Sequence, residues 1–351
     1  MTIQSKYKIR ILNNVILLIT GLFLGMTSCT QKETSVPIKQ HSLYQRIKQL
    51  GDNDGKISPN EIDSIRQDFG RVFEIWFNEI MRYPEIALPN DSLKAEVLTM
   101  HYRKNKMIYS AIESHYKSYP NLNGDIGAAF SKLSLLLPNL PIPVVYDYIS
   151  EFSNTTTFSD TAFGNEIVAY SVECFLNDTF ALYKVLNDYP EFMGRYNATE
   201  LIPSTLVLNY LKSHYDTGRT NTKMVDEMFL SGKMWYTLEQ VFGEKNLFKH
   251  FGYTNDDWIF LNQNEGQIWH HYIISESLFS SDFNDYIRYF NFGNKTFGSG
   301  IHEDCPPRIG FYSGYKMVKS LMDNKNLSMA QLWTMTDGAA ALRQSGYKPR
   351  R

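Results

Sequence analysis

Leu140-Pro141-Ile142-Pro143-Val144-Val145-Tyr146-Asp147-Tyr148-Ile149 is the stretch on which the fold class turns. Two prolines end whatever precedes them, and the β-branched and aromatic residues behind them read as a strand. Glu166-Ile167-Val168-Ala169-Tyr170-Ser171-Val172-Glu173 reads as a second strand. The text on both sides has helical spacing instead. Ile62, Ile65, Phe69, Val72, Phe73, Trp76, Phe77 and Ile80 recur at three- and four-residue steps, which predicts a helix from about Pro59 to Tyr83. Ser58, with Pro59 next and Glu61 three residues on, would cap it. Further helices are expected over about Ser92–Ser118 and Gly124–Leu136, from Asn177-Asp178-Thr179 onward, and over 203–215, 222–242, 256–279, 309–324 and 328–343. Thr254-Asn255-Asp256 and Asn326-Leu327-Ser328 offer caps. The expected architecture is α+β, mostly helical, with a small sheet between two helical regions and no internal repeat.

The first thirty residues read as an export signal. Lys6, Lys8 and Arg10 form a positive n-region, and an apolar core from Val15 to Met26 follows. That core has the length of a signal h-region and falls short of the ~20 residues a spanning helix needs. It ends at Met26-Thr27-Ser28-Cys29, small residues before a cysteine, the pattern of a lipobox. The expectation is a signal peptide over 1–28, lipidation of Cys29, a flexible tether over 29–57 and one domain over 58–351. The partner implied by Cys29 is a lipid bilayer, with the domain in the periplasm. The residues after Cys29 leave inner and outer membrane equally open.

Composition bounds the rest. A 43% apolar and 21% charged chain is an ordinary folded globule. A net charge of −2, with no local Lys/Arg cluster, gives no field to hold nucleic acid. Tyr (23) and Phe (22) are abundant enough to build either a large core or an interaction surface. Beyond Cys29 only Cys174 and Cys305 remain. Cys174 lies in an apolar run and reads as a core thiol, and a bridge to Cys305 stays open. Leu50-Gly51-Asp52-Asn53-Asp54-Gly55, running on to Glu61, imitates a calcium loop. Its first position is Leu50 rather than a carboxylate, so a turn before a capped helix is the better reading.

Ordered blocks in the second half carry a family resemblance. Met228-Phe229-Leu230-Ser231-Gly232-Lys233-Met234-Trp235-Tyr236 resembles the "M-I-x-x-G-K-x-x-Y" segment of the gliding-motility lipoprotein GldB family of Bacteroidota. Gly252-Tyr253-Thr254 with Asn264-Glu265-Gly266-Gln267-Ile268-Trp269 is similar to its "GYT … NE-x-x-IW" block. Leu278-Phe279-Ser280-Ser281-Asp282 resembles its "LLYSTD". Pro306-Pro307-Arg308-Ile309-Gly310-Phe311-Tyr312-Ser313-Gly314-Tyr315-Lys316-Met317-Val318 resembles its "PGRIGxWxGWQIV", and Ser345-Gly346-Tyr347-Lys348-Pro349 its closing "SKYKP". Arg82-Tyr83-Pro84 and Leu140-Pro141-Ile142-Pro143 fit upstream. The resemblance covers roughly residues 70–351. It implies an envelope protein that works with partner proteins of gliding or type 9 secretion machinery.

The same layout resembles a group of predicted zinc-dependent proteases with H-E-x-x-H on one helix and an acidic ligand on the next. Two imidazoles one turn apart hold the metal there, and the intervening Glu activates water. Here the corresponding helix, Thr205 to His214, offers one histidine, and Ser231 stands at the third-ligand position. The resemblance therefore implies a zincin-like scaffold without its site: no catalytic residue, no metal ligand and no cofactor. A divergent metal-dependent hydrolase, drawing on His214, His270, His271 or His302, is the alternative.

Other residues read as structural. His302-Glu303-Asp304-Cys305 runs into Pro306-Pro307 and is a loop. Glu265, His270 and His271 are spaced five and six apart, so the expected helix has Trp269 and Ile273 in the core and a polar histidine face. Arg308, held at a helix start, is expected to pair with a buried carboxylate such as Glu265 or Glu303, or to meet an anionic partner group. Gly310 and Gly314, four apart, should let another backbone approach. With Tyr315, these are the candidate structural or interaction residues.

Overall fold

In the computed structural model of the chain, four strands make one mixed sheet in the order β1–β2–β4–β3. The structure describes residues 37–349 except 84–89, 153–156, 178–179, 181–182, 184–190, 217–221, 294 and 299. The expected signal peptide, Cys29, the start of the tether and most of the helix expected from Asn177 lie outside the described residues. The strands are β1 (Gln40–Ser42), β2 (Val144–Tyr148), β3 (Thr157–Ala162) and β4 (Asn165–Ser171). β1, β2 and β4 run parallel, and β3 returns antiparallel to β4. Val144, Val145, Tyr146 and Tyr148 are all buried, as are Ile167 to Tyr170, so both faces of the central pair are largely covered. The α+β class, mostly helical, is what the sequence implied.

β3 was not expected. Its residues Ser159, Asp160 and Thr161 are polar because it is an edge strand, and its pairing comes from a two-residue turn at Phe163-Gly164. Both turn residues have positive φ (52° and 73°), the conformation a tight hairpin demands.

The largest correction falls on the tether. Residues 40–54 are strand β1 and helix α1 (Leu43–Asp54), inside the same compact unit as the rest of the chain to Arg351. Leu43, Tyr44, Ile47 and Leu50 form a buried stripe at helical spacing beneath an otherwise polar sequence. Ser42 caps the helix, accepting from the Gln45 amide at 3.2 Å, and Gly55 ends it in the left-handed region. The calcium-like stretch is thus the last turn of α1, where Asp52 accepts from Lys48 at 2.6 Å and from the Tyr102 hydroxyl.

Helix α2 (Pro59–Phe69) starts on the expected Ser58 cap, whose amide donates to Glu61 at 2.6 Å. It breaks at Gly70 (φ 46°), because the Phe163 ring lies where a side chain would go, and resumes over Arg71–Glu74 and a π-helical turn, Ile75–Ile80. Helices α3 (Asp91–Tyr116), α4 (Leu122–Leu136), α5 (Ile202–Tyr215) and α6 (Met224–Phe242) follow the expected spans closely. The expected helix over 256–279 is two, α7 (Asn255–Gln263) and α8 (Glu265–Ile274), because Asn264 (φ −110°, ψ 13°) leaves the helical region between them. Helix α9 (Ile309–Lys325) is intact. The expected 328–343 helix divides into α10 (Met329–Thr334) and α11 (Gly338–Ser345), since Met335 is extended and Asp337 caps a new start. Among the described residues no helix is long and apolar enough to cross a membrane.

The broadest helix–helix contact joins α6 to α9. A Cβ added at Gly314 would stand 2.0 Å from the Met228 carbonyl oxygen, and one at Gly232 2.2 Å from the Gly314 oxygen. The two backbones touch. Gly310 faces a side chain instead, the Phe290 ring at 2.6 Å.

Candidate functional site

The expected site residues gather around the α6–α9 crossing. Glu265, at the start of α8, accepts from Tyr347 Oη at 2.7 Å and from Tyr312 Oη at 3.1 Å, with Lys316 Nζ 3.2 Å away. One carboxylate thereby ties three separate sequence blocks together. Trp269 packs edge-on to Tyr347 with centroids 5.1 Å apart. Tyr315 is buried against Phe251 and accepts from Lys319 at 3.3 Å.

Arg308 does not meet a carboxylate. It caps α9 in the left-handed region (φ 61°) and is only 7% exposed. Its guanidinium carbon lies 4.3 Å from the Phe311 centroid, 4.5 Å from Phe292, 5.0 Å from Trp235 and 5.4 Å from Tyr196. The Phe251 carbonyl accepts from Nη1 at 3.2 Å, and Nε has no hydrogen-bond partner among the described residues. Burial pulls its pKa down, and four ring faces replace the counter-ion. Glu265 is already engaged and Glu303 is exposed, so neither pairs with it. The same rings shut Arg308 away from an anionic partner.

The histidine face of α8 is also different from expectation. Ile268, His271 and Tyr272 point inward at i, i+3, i+4, while Ile273 is 53% exposed. Inside the core His271 Nε2 meets Tyr289 Oη at 2.9 Å. Burial lowers its pKa.

The residues offered for a metal are not gathered as a ligand set among the described residues. His214 Nδ1 lies 3.0 Å from the Tyr210 carbonyl of its own helix, and Nε2 is 3.9 Å from Glu166. Ser231 is buried on α6, and His302 is in an exposed loop where it accepts from the Asp304 amide. Among the described residues no three His, Cys, Asp or Glu side chains are gathered as metal ligands. Cys174 and Cys305 are both buried and unbridged; burial pushes Cys305 up to about 12 and Cys174 higher still. Neither thiol is a ready nucleophile.

Two polar networks that the sequence did not disclose sit where β2 and β4 end. Glu173, fully buried, accepts from the Ser150 amide (2.6 Å), Ser150 Oγ (2.9 Å), the Phe152 amide (3.1 Å) and Ser171 Oγ (2.6 Å). Beside it Glu151, strained at φ 54°, meets His101 Nδ1 at 2.9 Å and accepts from Asn105 Nδ2 at 2.7 Å and Lys104 Nζ at 2.5 Å. Burial opposes its charge, yet these three partners hold the Glu151 carboxyl down at about 2. Both carboxylates are fully employed in pinning the strand ends.

A cleft of about 380 Å³ opens on one side of the sheet. Strand register builds its floor: Gln40 pairs with Val145, Ser42 with Asp147, and Asp147 with Tyr170. Tyr44 of α1 and Tyr116, Tyr119 and Leu122 around the α3–α4 turn wall it, and Gln40 Nε2 donates to Asn123 O at 2.7 Å across one end. Asp147 lies at the bottom. Ser42 Oγ donates to it at 2.6 Å and the Tyr44 amide supports it. Protein surrounds most of the carboxyl while part of it still reaches the cleft, and burial raises its pKa to about 7. An aspartate inside the strand Val-Val-Tyr-Asp-Tyr was the one sequence signal for this site.

No curated protein and no solved structure matches the chain. A family model described as "Gliding motility protein GldB" matches residues 28–349, which take in every block quoted above and all four strands. Over nearly its whole length, therefore, the chain belongs to the GldB family of gliding motility proteins.

Proposed function

We propose that the chain is a cell-envelope lipoprotein, tethered through acylated Cys29, that acts as a non-catalytic binding or scaffold component beside gliding or type 9 secretion machinery. The observation that carries this reading is the family match over residues 28–349, which begins one residue before Cys29. The short apolar core before Ser28-Cys29 supports the anchor. The non-catalytic part draws support from coordination chemistry. A catalytic zinc needs three protein ligands and an open position for water, and at the ligand positions that the resemblance assigns, the helix pair α5–α6 supplies one imidazole, His214, and a serine, Ser231. The scaffold is read as zincin-like only in that loose sense.

Labelled palmitate tests the anchor: Cys29→Ala should abolish incorporation and leave an unprocessed precursor, and labelling that persists sinks it. Incubating the purified protein with unfolded substrates, with and without zinc or chelator, tests the second part. No cleavage is expected. Chelator-sensitive cleavage lost in His214→Ala would establish a divergent metal-dependent hydrolase instead.

A further inference from the structure

The cleft over Asp147 has a chemistry of its own. Its lining holds one carboxyl and no lysine or arginine; the rest is tyrosine, amide, hydroxyl, backbone and aliphatic surface. Asp147 lies beside the first turn of α1, accepting from Ser42 Oγ at 2.6 Å with the Tyr44 amide nearby. These groups fill only part of a carboxylate's acceptor capacity, about four lone-pair sites, and the cleft opens over the remainder. A cap alone would be served as well by asparagine, without the cost of desolvating a charge.

Among the described residues lining the cleft no lysine or arginine answers that charge. The groups facing Asp147 are Ser42 from β1, Tyr44 from α1, Tyr116 and Tyr119 around the α3–α4 turn, and Tyr170 from β4; the His41 ring turns to the other face of the sheet, stacked on Tyr146 at 5.2 Å. Lys48, on the neighbouring wall of α1, is taken by Asp52 at 2.6 Å and Glu113 at 3.7 Å. An acid in an aromatic-walled recess, with no counter-ion among the described lining residues, suits a cation carried on an apolar stem.

We propose that this cleft receives a basic side chain, lysine or arginine, of a protein partner, with its charged head on Asp147 and its stem among Tyr44, Tyr116 and Tyr119. The proposal deepens the binding-component reading by naming what is bound, and it does not depend on the lipid anchor. A phospholipid amine is a poorer fit. Its headgroup would bring a phosphate into a recess whose lining has no lysine or arginine to meet it.

The test uses the purified full-length protein in detergent and the probes N-acetyl-lysine N-methylamide and N-acetyl-arginine N-methylamide, followed by ligand-observed NMR. The norleucine analogue serves as the uncharged control. At pH 8 at least one basic probe should bind saturably and the norleucine probe should not. Asp147→Asn, which keeps an acceptor for Ser42 and Tyr44, should weaken binding by about tenfold or more. Glu113→Gln in the adjoining recess should leave it unchanged. Tyr119→Ala, at the half-buried wall, should weaken it too, and keeps the test readable if Asp147→Asn fails to fold. Lowering the pH to 5.5 should weaken binding as Asp147 takes up its proton. Absence of binding by both basic probes, equal binding of norleucine, or binding indifferent to both Asp147→Asn and Tyr119→Ala overturns the proposal. Asp147-dependent capture of phosphatidylethanolamine vesicles without lysine or arginine binding overturns it in favour of a lipid ligand. Loss of palmitate labelling in Cys29→Ala would be unaffected by any of these results, so the two readings fail separately.

Discussion

Gly314→Ala should destabilise the protein through a single methyl group. An added Cβ would lie 2.0 Å from Met228 O, 2.8 Å from Met228 C and 3.1 Å from Met228 Cα. All three are backbone atoms of a helix and cannot rotate away. Restoring an ordinary carbon–oxygen contact of about 3.4 Å would require α6 and α9 to part by roughly 1.4 Å along that line. The helices cannot give that distance cheaply. A Cβ at Gly232 would likewise stand 2.2 Å from Gly314 O, and one at Gly338 of α11 2.4 Å from Val225 O on the same helix α6, so close backbone approach recurs along this seam. Over-packing a core commonly costs about 1–3 kcal/mol, and an unyielding backbone partner puts this site at the upper end. Alanine's better helix propensity returns at most about 1 kcal/mol. The expected net loss is about 2–3 kcal/mol, seen in urea unfolding as a midpoint lowered by roughly 0.5–1 M at constant slope. Gly124, on the exposed first turn of α4, has nothing within 4 Å of an added Cβ. Gly124→Ala should leave the midpoint unchanged or raise it. A Gly314→Ala protein whose midpoint matches or exceeds wild type would refute the touching-backbone account of the crossing.

Glu265→Ala leaves the Tyr312 and Tyr347 hydroxyls without their acceptor and should cost about 2 kcal/mol in the same urea assay; Glu265→Gln, which retains an acceptor, should recover most of it. Two carboxyls should shape the stability–pH curve in opposite senses. Glu151 drops from 4.5 to about 2 on folding, so its contribution is complete above about pH 4.5 and disappears as the pH falls toward 2. Glu151→Gln should therefore flatten the acid limb of a pH series of urea midpoints. Asp147 rises from 3.8 to about 7, so the folded state holds the extra proton and stability declines as the pH climbs from about 4 to 7. Asp147→Asn should gain on wild type across that interval, and a constant difference would refute the shift.

What could be read from the sequence was what neighbours along the chain decide. Caps are local chemistry, and Ser58, Thr254 and Ser328 start helices where the sequence places them. The two apolar strands were legible for the same reason. Helix α1 was not, because its buried stripe of Leu43, Tyr44, Ile47 and Leu50 is diluted by polar and charged residues that face water. The breaks at Asn264 and Met335 were missed because helical spacing continues across them. The partner of Arg308 was misjudged for a deeper reason. Residue type suggests a carboxylate, but its cage adds Tyr196, Trp235 and Phe292 from three other segments to Phe311 of its own helix, and no local pattern foretells that meeting. The cleft has the same character, drawing on β1, β2, β4, α1 and the α3–α4 turn.

The blocks that carry the family resemblance do one physical job. Met228 and Gly232 meet Gly314 backbone to backbone, Glu265 joins Tyr312 to Tyr347, and Tyr253 Oη donates to Arg308 O at 2.9 Å. Each of these contacts fails if the residue changes shape by one group, which is reason enough for the words to recur as a set in chains of one fold. The quoted blocks therefore certify a scaffold and are silent about what it binds. The Asp147 cleft lies outside them: none of its lining residues comes from the C-terminal words, and its floor is strands β1, β2 and β4. Stability and binding should accordingly separate by region. Substitutions at Gly232, Glu265 or Gly314 should move the unfolding midpoint first and affect binding only through loss of folded protein. Substitutions at Asp147 or Tyr119 should change binding in protein that remains folded. A protein in which the two sets could not be separated would mean that sheet and helical crossing act as one element, with the signature blocks shaping the cleft directly.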